Sequence, residues 1–281
     1  MTLPGVGRPI VPKEHGAWAV LYGSFLAGVG VAGRVTLPVA LCLVGITAAA
    51  FANGSLAILA RSNAGDVHMG RRRHALTWFF LCGAVAGAAL VPLLTVFRMT
   101  FLLPFGMTAA FFLLLRAHLI RERDDRTLIG ELAGAAGLTM VGAVGHAVSA
   151  GEARPISAVL WLLLWLFFAG GIFYVRMRVH GMVAQRKGAP GASNPAFWSC
   201  VIYHALLLVA MPALAAARIV PWPVLLAFAP AVWRAAVGLQ REERRLDLRR
   251  LGWSEVAVAT SFVILLIAAF RLTPLAGWPP F

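Results

Sequence analysis

The 281-residue chain is 60% hydrophobic and only 13% charged, with 17 Phe, 9 Trp and a mean hydropathy of +0.81. Soluble domains carry about 25% charged residues and disorder requires low hydrophobicity, so both are excluded and a polytopic membrane protein remains. A net charge of +14, in which all basic residues but Lys13 and Lys187 are Arg, would suggest nucleic acid in a soluble chain; its placement along the sequence argues otherwise.

Nine apolar stretches are long enough to span about 30 Å of hydrocarbon, at 15–33, 38–60, 75–95, 99–115, 131–149, 156–175, 197–217, 220–238 and 255–270. Backbone in a bilayer must satisfy its own hydrogen bonds, so each is expected to be a helix, and the fold class is an all-α bundle of about nine transmembrane helices. Pro92, Pro104, Pro212 and Pro230 fall inside spans and are expected to kink them. The organisation expected is one membrane domain over 1–281: an N-terminal segment 1–14, a bundle 15–270 and a tail 271–281. Residues 8–33 also carry the elements of a secretory signal peptide, with Lys13, an apolar run and the small pair Ala32-Gly33. Removing span one would leave Lys13-Glu14-His15 without a role, so the stretch is read as the first span and not as a signal peptide.

Charge tests the count. With the N-terminus inside, the segments 1–14, 61–74, 116–131, 176–196 and 234–255 hold 20 Lys and Arg. The opposite side holds only Arg34, Arg98, Arg154, Arg218 and Arg271. This asymmetry follows the positive-inside rule and orients the chain in its membrane N-in and C-out. Retained arginines facing anionic inner-leaflet lipid then account for the charge, and no nucleic-acid partner is expected.

In chain order, the first polar group is Pro12-Lys13-Glu14-His15-Gly16-Ala17-Trp18. Pro12 suits a helix start and Trp18 an interfacial belt. Three consecutive ionisable residues exceed what anchoring needs, so Lys13 is a candidate anion ligand and His15 a candidate acid–base group. After span two come Arg61, Asn63, Asp66, His68 and Arg71-Arg72-Arg73. The triple arginine reads as a stop signal and Arg61 as a candidate anion ligand. Asn63 and Asp66 are weak metal candidates, and no cofactor is read with any force. The run from Arg116 to Arg126 alternates in sign, as a solvated surface helix does, with Arg116 a candidate anion ligand at its start. Glu131, at the mouth of span five, is costly there unless paired. Span five is glycine-rich, and the Gly130–Gly134 spacing is expected to bring it against a neighbour's backbone near the bundle centre.

Phe173-Tyr174-Val175-Arg176-Met177-Arg178 closes span six. Arg176 and Arg178 either snorkel to the interface or bind an anion through their guanidinium forks. His204, beside Tyr203, is about 10 Å deep in span seven, a functional-site candidate by position. His146, the other deep histidine, lies near the opposite end of its span, so the pair is not expected to ligate one haem. Arg234, a further candidate anion ligand, closes span eight, and Arg249-Arg250-Leu251-Gly252-Trp253-Ser254-Glu255 opens span nine. Ser254 is expected to cap that helix, with Glu255 in its first turn paired to Arg234. Cys42, Cys82 and Cys200 sit in apolar stretches with no CxxC, as packing thiols do.

Together PKEHGAW at 12–18, FYVRMR at 173–178, Tyr203-His204 and RRLGWSE at 249–255 resemble the YwiC-like family of bacterial membrane proteins. That resemblance implies a multi-pass architecture. More distantly, nine helices with polar loops after spans two, four, six and eight resemble the UbiA-type prenyltransferases. That likeness implies aspartate-rich motifs after spans two and six, where Mg²⁺ bridges a prenyl diphosphate. Here the first loop offers only Asn63 and Asp66, and the second has Arg176, Arg178, Arg186 and Lys187 and no acid. Two Mg²⁺ sites need several carboxylates, so the expectation is a cationic inner cavity that holds an anionic lipid or isoprenoid directly. His15, Glu131, His204 and Glu255 are the candidate acid–base groups for any transferase step. The alternatives are a membrane transporter or channel, for which the deep histidines speak, and a non-enzymatic assembly protein docking through the arginine-rich segment 241–250.

Overall fold

A computed structural model describes residues 15–62, 69–186, 195–240 and 247–273. Those residues form nine α-helices: α1 (His15–Ala32), α2 (Leu37–Ser62), α3 (Met69–Thr95), α4 (Leu103–Arg121), α5 (Leu128–Ala150), α6 (Pro155–Arg186), α7 (Pro195–Ala216), α8 (Val224–Gln240) and α9 (Leu248–Leu272). A short 3-10 turn, Thr100–Leu102, precedes α4. Seven of the helices are long and apolar enough to cross a bilayer, while Gly16–Ala32 and Val224–Gln240 are shorter apolar helices. The chain is therefore a polytopic helical membrane protein, and each expected span coincides with one helix.

Several helices extend beyond their apolar stretches. α3 begins at Met69 and α6 continues to Arg186, so Arg71–Arg73 and Arg176–Arg178 are helical. The start of α9 differs from expectation. Asp247 caps it, its Oδ1 accepting from the backbone N–H groups of Arg249 at 2.9 Å and Arg250 at 3.1 Å, because a carboxylate there satisfies free first-turn donors. Ser254 is already inside the helix, its hydroxyl donating to the Leu251 carbonyl at 2.7 Å. Glu255 accordingly stands two turns in. Nor is 116–126 a continuous surface helix. α4 ends at Arg121, and Thr127 caps α5 by accepting from the Gly130 N–H at 3.2 Å.

α1 and α5 run side by side in the same direction, with their backbones in close approach. A Cβ on Gly28 would run into the Gly142 carbonyl oxygen and lie 2.8 Å from the His146 nitrogen; one on Gly145 would lie 2.8 Å from the Phe25 carbonyl oxygen. At their shared end the Arg34 N–H donates to Ser149 Oγ at 3.2 Å, and the Ser149 hydroxyl donates back to the Arg34 carbonyl at 2.5 Å. The glycines at the contact are thus Gly28, Gly142 and Gly145. A Cβ on Gly134 would find only Arg116 Nη1, at 3.9 Å, and Gly130 lies against the 124–125 turn.

α6 packs antiparallel to α5. Trp161 and Trp165 donate their indole N–H groups to the Ala136 and Leu132 carbonyls at 2.9 and 3.1 Å. Phe167 of α6 stacks on Phe262 of α9 with centroids 3.8 Å apart, inside a core shared by α1 and α6–α9. A second core joins α1, α2, α3 and α5 around Phe25, Cys42 and Leu93. Cys42 and Cys200 are buried and Cys82 is half-buried, all as free thiols. The outer face of α3 and α4 exposes Phe80, Met107, Phe111 and Leu114, a surface suited to lipid rather than water.

Candidate functional site

At the end of the bundle where α4 and α6 finish and α5 and α9 begin, the helices splay around a cavity of about 1140 Å³. Its wall brings together five of the expected residues: Arg116, Glu131, Arg176, Arg234 and Glu255. These come from α4, α5, α6, α8 and α9, far apart in sequence. Arg126, Arg249, Asp125 and Trp253 also line it. None of these four is a candidate by sequence; Arg249 and Trp253 stand within the 249–255 motif, but nothing local marks them as facing inward.

Two ion pairs brace the wall. Arg176 Nη1 donates to Glu131 Oε2 at 3.0 Å and to the Arg126 carbonyl at 3.3 Å. Arg234 pairs with Glu255, as expected, with 10% and 25% of the two side chains exposed. The Arg234 guanidinium also lies 4.4 Å above the Tyr174 ring, which adds a cation–π attraction. Glycines make room for this group. A Cβ on Gly171 would lie 3.2 Å from Glu255 Oε2, and one on Gly238 would strike the Tyr174 ring. The adjacent pair Gly170-Gly171 is the one local sequence signal for such tight seating.

The remaining arginines are differently placed. Arg116 keeps its Nε buried with no hydrogen-bond partner among the described residues. Neither Arg116, Arg126 nor Arg249 has an ion pair among the described residues. Five arginines and three carboxylates therefore share the cavity wall, and both glutamates are already engaged by arginine.

His204 does not line the cavity. It is buried in α7, its Nδ1–H donating to the Cys200 carbonyl at 2.9 Å, while Nε2 has no hydrogen-bond partner among the described residues. His146 pairs instead with Ser157 Oγ at 2.9 Å, so the two histidines have separate surroundings. Arg178 lies on α6 outside the cavity wall. Lys13, Asn63 and Asp66, and the side chains of His15 and Arg61, lie outside the described residues. Among the described residues no three His, Cys, Asp or Glu side chains cluster as a metal site would need.

The Glu131–Arg176 pair is partly solvated, with 26% of the arginine and 36% of the glutamate side chain exposed. Such pairs contribute about 1 kcal/mol or less. Glu131→Gln is accordingly expected to lower the melting temperature by no more than about 2–4 °C. A larger loss in a thermal melt would mean that the pair holds α5 and α6 together.

The YwiC-like protein family matches residues 11–147, just under half of the chain. That stretch runs from the first polar motif through α1–α4 to near the end of α5, and contains Arg116, Arg126 and Glu131. The motifs at 173–178, 203–204 and 249–255 lie beyond it. No curated protein and no solved structure matches the chain.

Proposed function

We propose that this chain, YwiC-like over residues 11–147, binds the phosphate headgroup of an anionic lipid or isoprenoid in the cationic cavity, from the cytoplasmic side of a bacterial inner membrane. The observation that supports this best is the excess of guanidinium groups around one cavity, three of them without an acidic partner among the described residues. Guanidinium forks match phosphate oxygens bidentately. The charged lining residues all come from the end of the bundle to which the count of 20 against 5 basic residues assigns the cytoplasm, N-in and C-out. That placement also favours binding over transport, since transporters usually hold substrate near the midplane.

The test is titration of inorganic pyrophosphate into the protein in phosphatidylcholine nanodiscs. A hydrogen bond to a charged group is worth about 1.5–3 kcal/mol. Arg116→Ala and Arg249→Ala should therefore each weaken binding by about tenfold or more, and Arg178→Ala should change it little. Unchanged affinity in both cavity variants would refute the reading. Glu131 and Glu255 are the acid–base groups beside the headgroup. Turnover of a prenyl diphosphate that disappears in Glu131→Gln, a change expected to cost little stability, would extend binding to transfer.

A further inference from the structure

A second hollow, of about 380 Å³, lies between α2, α3, α4 and α5. It is not separate from the first. Phe112, Arg116, Ala133, Gly134 and Leu138 line both, so the two meet at Arg116, whose Nε is buried without a hydrogen-bond partner among the described residues. Beyond that junction the lining is almost wholly apolar, with Asn53 as the other polar side chain, and it reaches Leu93, Leu94 and Leu102. From Ala133 to Val144 on α5 the groove covers about 16 Å along the helix axis. That is about one leaflet of a 30 Å hydrocarbon core. The groove opens sideways, because Leu103 and Leu113, both in its wall, are 52% and 38% exposed.

We propose that this groove seats the hydrocarbon chain of the ligand whose phosphate occupies the cationic cavity, so that the ligand is a single-chain lipid phosphate entering sideways between α3 and α4. The proposal rests on the headgroup reading above and adds the chain to it. Charge and continuity select the occupant. A neutral lipid tail would leave Arg116 unanswered at the junction, and a free phosphate would leave about 16 Å of apolar groove unused. The smaller volume of the groove suits one chain, not the two of a diacyl lipid.

Gly106 allows a clean test. It lines the groove, and a Cβ built on it meets no atom within 4 Å. Leucine there starts from a Cβ with free space, adds apolar bulk at the groove wall and is the better helix former. The probe is dodecyl phosphate carrying a terminal diazirine, with the protein in phosphatidylcholine nanodiscs. The label is expected on Leu93, Leu94, Leu102 or Phe105, and excess dodecyl phosphate should compete it away. Gly106→Leu should weaken dodecyl phosphate about tenfold and leave inorganic pyrophosphate unchanged, and dioleoyl phosphatidic acid should compete poorly. Label on the outer face of α3 or α4 that resists competition would overturn the proposal. So would equal competition by phosphatidic acid, or a Gly106→Leu variant that weakens both probes alike or neither. If wild type binds pyrophosphate but holds dodecyl phosphate no tighter than butyl phosphate, the groove proposal falls alone. If wild type binds no pyrophosphate, the headgroup reading falls with it.

Discussion

Gly28→Ala is expected to be the most damaging single-atom addition in the described fold. The new Cβ would collide with the Gly142 carbonyl oxygen and come within 2.9 Å of the Gly142 carbonyl carbon. Both belong to helical backbone, which cannot swing aside as a side chain does. α1 and α5 would have to separate, loosening their glycine contact and the Arg34–Ser149 exchange at its end. Overpacking of this kind costs about 1–3 kcal/mol where side chains can adjust, and more where only backbone is available. Intrinsic propensity runs the other way, since alanine favours a helix over glycine by about 1 kcal/mol. The sign of the change therefore separates packing from propensity. Size-exclusion profiles and thermal melts should show an unfolded or strongly destabilised Gly28→Ala protein beside normal Gly134→Ala and Gly83→Ala controls, whose positions have room for a methyl group. A Gly28→Ala protein that melts with wild type would refute the close α1–α5 approach.

The Arg234–Glu255 pair carries the second large effect. With 10% of the arginine side chain exposed, Glu255→Ala leaves a desolvated guanidinium whose nearest compensation is the Tyr174 ring at 4.4 Å. Breaking a buried pair from one side costs about 3–5 kcal/mol, whereas replacing both partners by apolar groups of similar size is often neutral. Glu255→Ala and Arg234→Ala should each lower the melting temperature sharply. The double change Arg234→Met with Glu255→Leu should recover most of that loss. Additive losses in the double variant would show that each side chain is held by other contacts and that the pair itself matters little. The double variant should still bind pyrophosphate more weakly than wild type, because it removes one of the five arginines around the cavity. Stability and binding are thereby separated in one protein.

Much of this arrangement is legible in the amino-acid sequence. The Arg234–Glu255 pair is expected from two charges at adjoining ends of consecutive spans, where each would be costly alone. Glu131 is likewise expected to need a partner, and Arg176 supplies it at 3.0 Å. The glycines of span five announce a close helix contact, but the residues that make it are Gly142 and Gly145 against Gly28, well beyond the Gly130–Gly134 spacing that suggests it. His204 stands out by depth, and depth does not say which way a ring faces. It is held by the Cys200 carbonyl one turn back, outside the cavity wall.

The sequence by itself determined the properties that depend on composition and local order: a membrane protein, all-helical, with helices at the nine expected stretches and basic residues concentrated in alternate connections. Each of these is an additive property of neighbouring residues in apolar surroundings. The tertiary structure alone decided which faces meet. In a bilayer the lipid-facing and the packed side of a helix are both apolar, so no amphipathic stripe records the interior. Parallel packing of α1 on α5, the turning of Arg116, Arg126 and Arg249 into one cavity, and the groove joined to it at Arg116 arise from helices distant in sequence. Their register is set by small residues and backbone contact, which hydropathy does not encode.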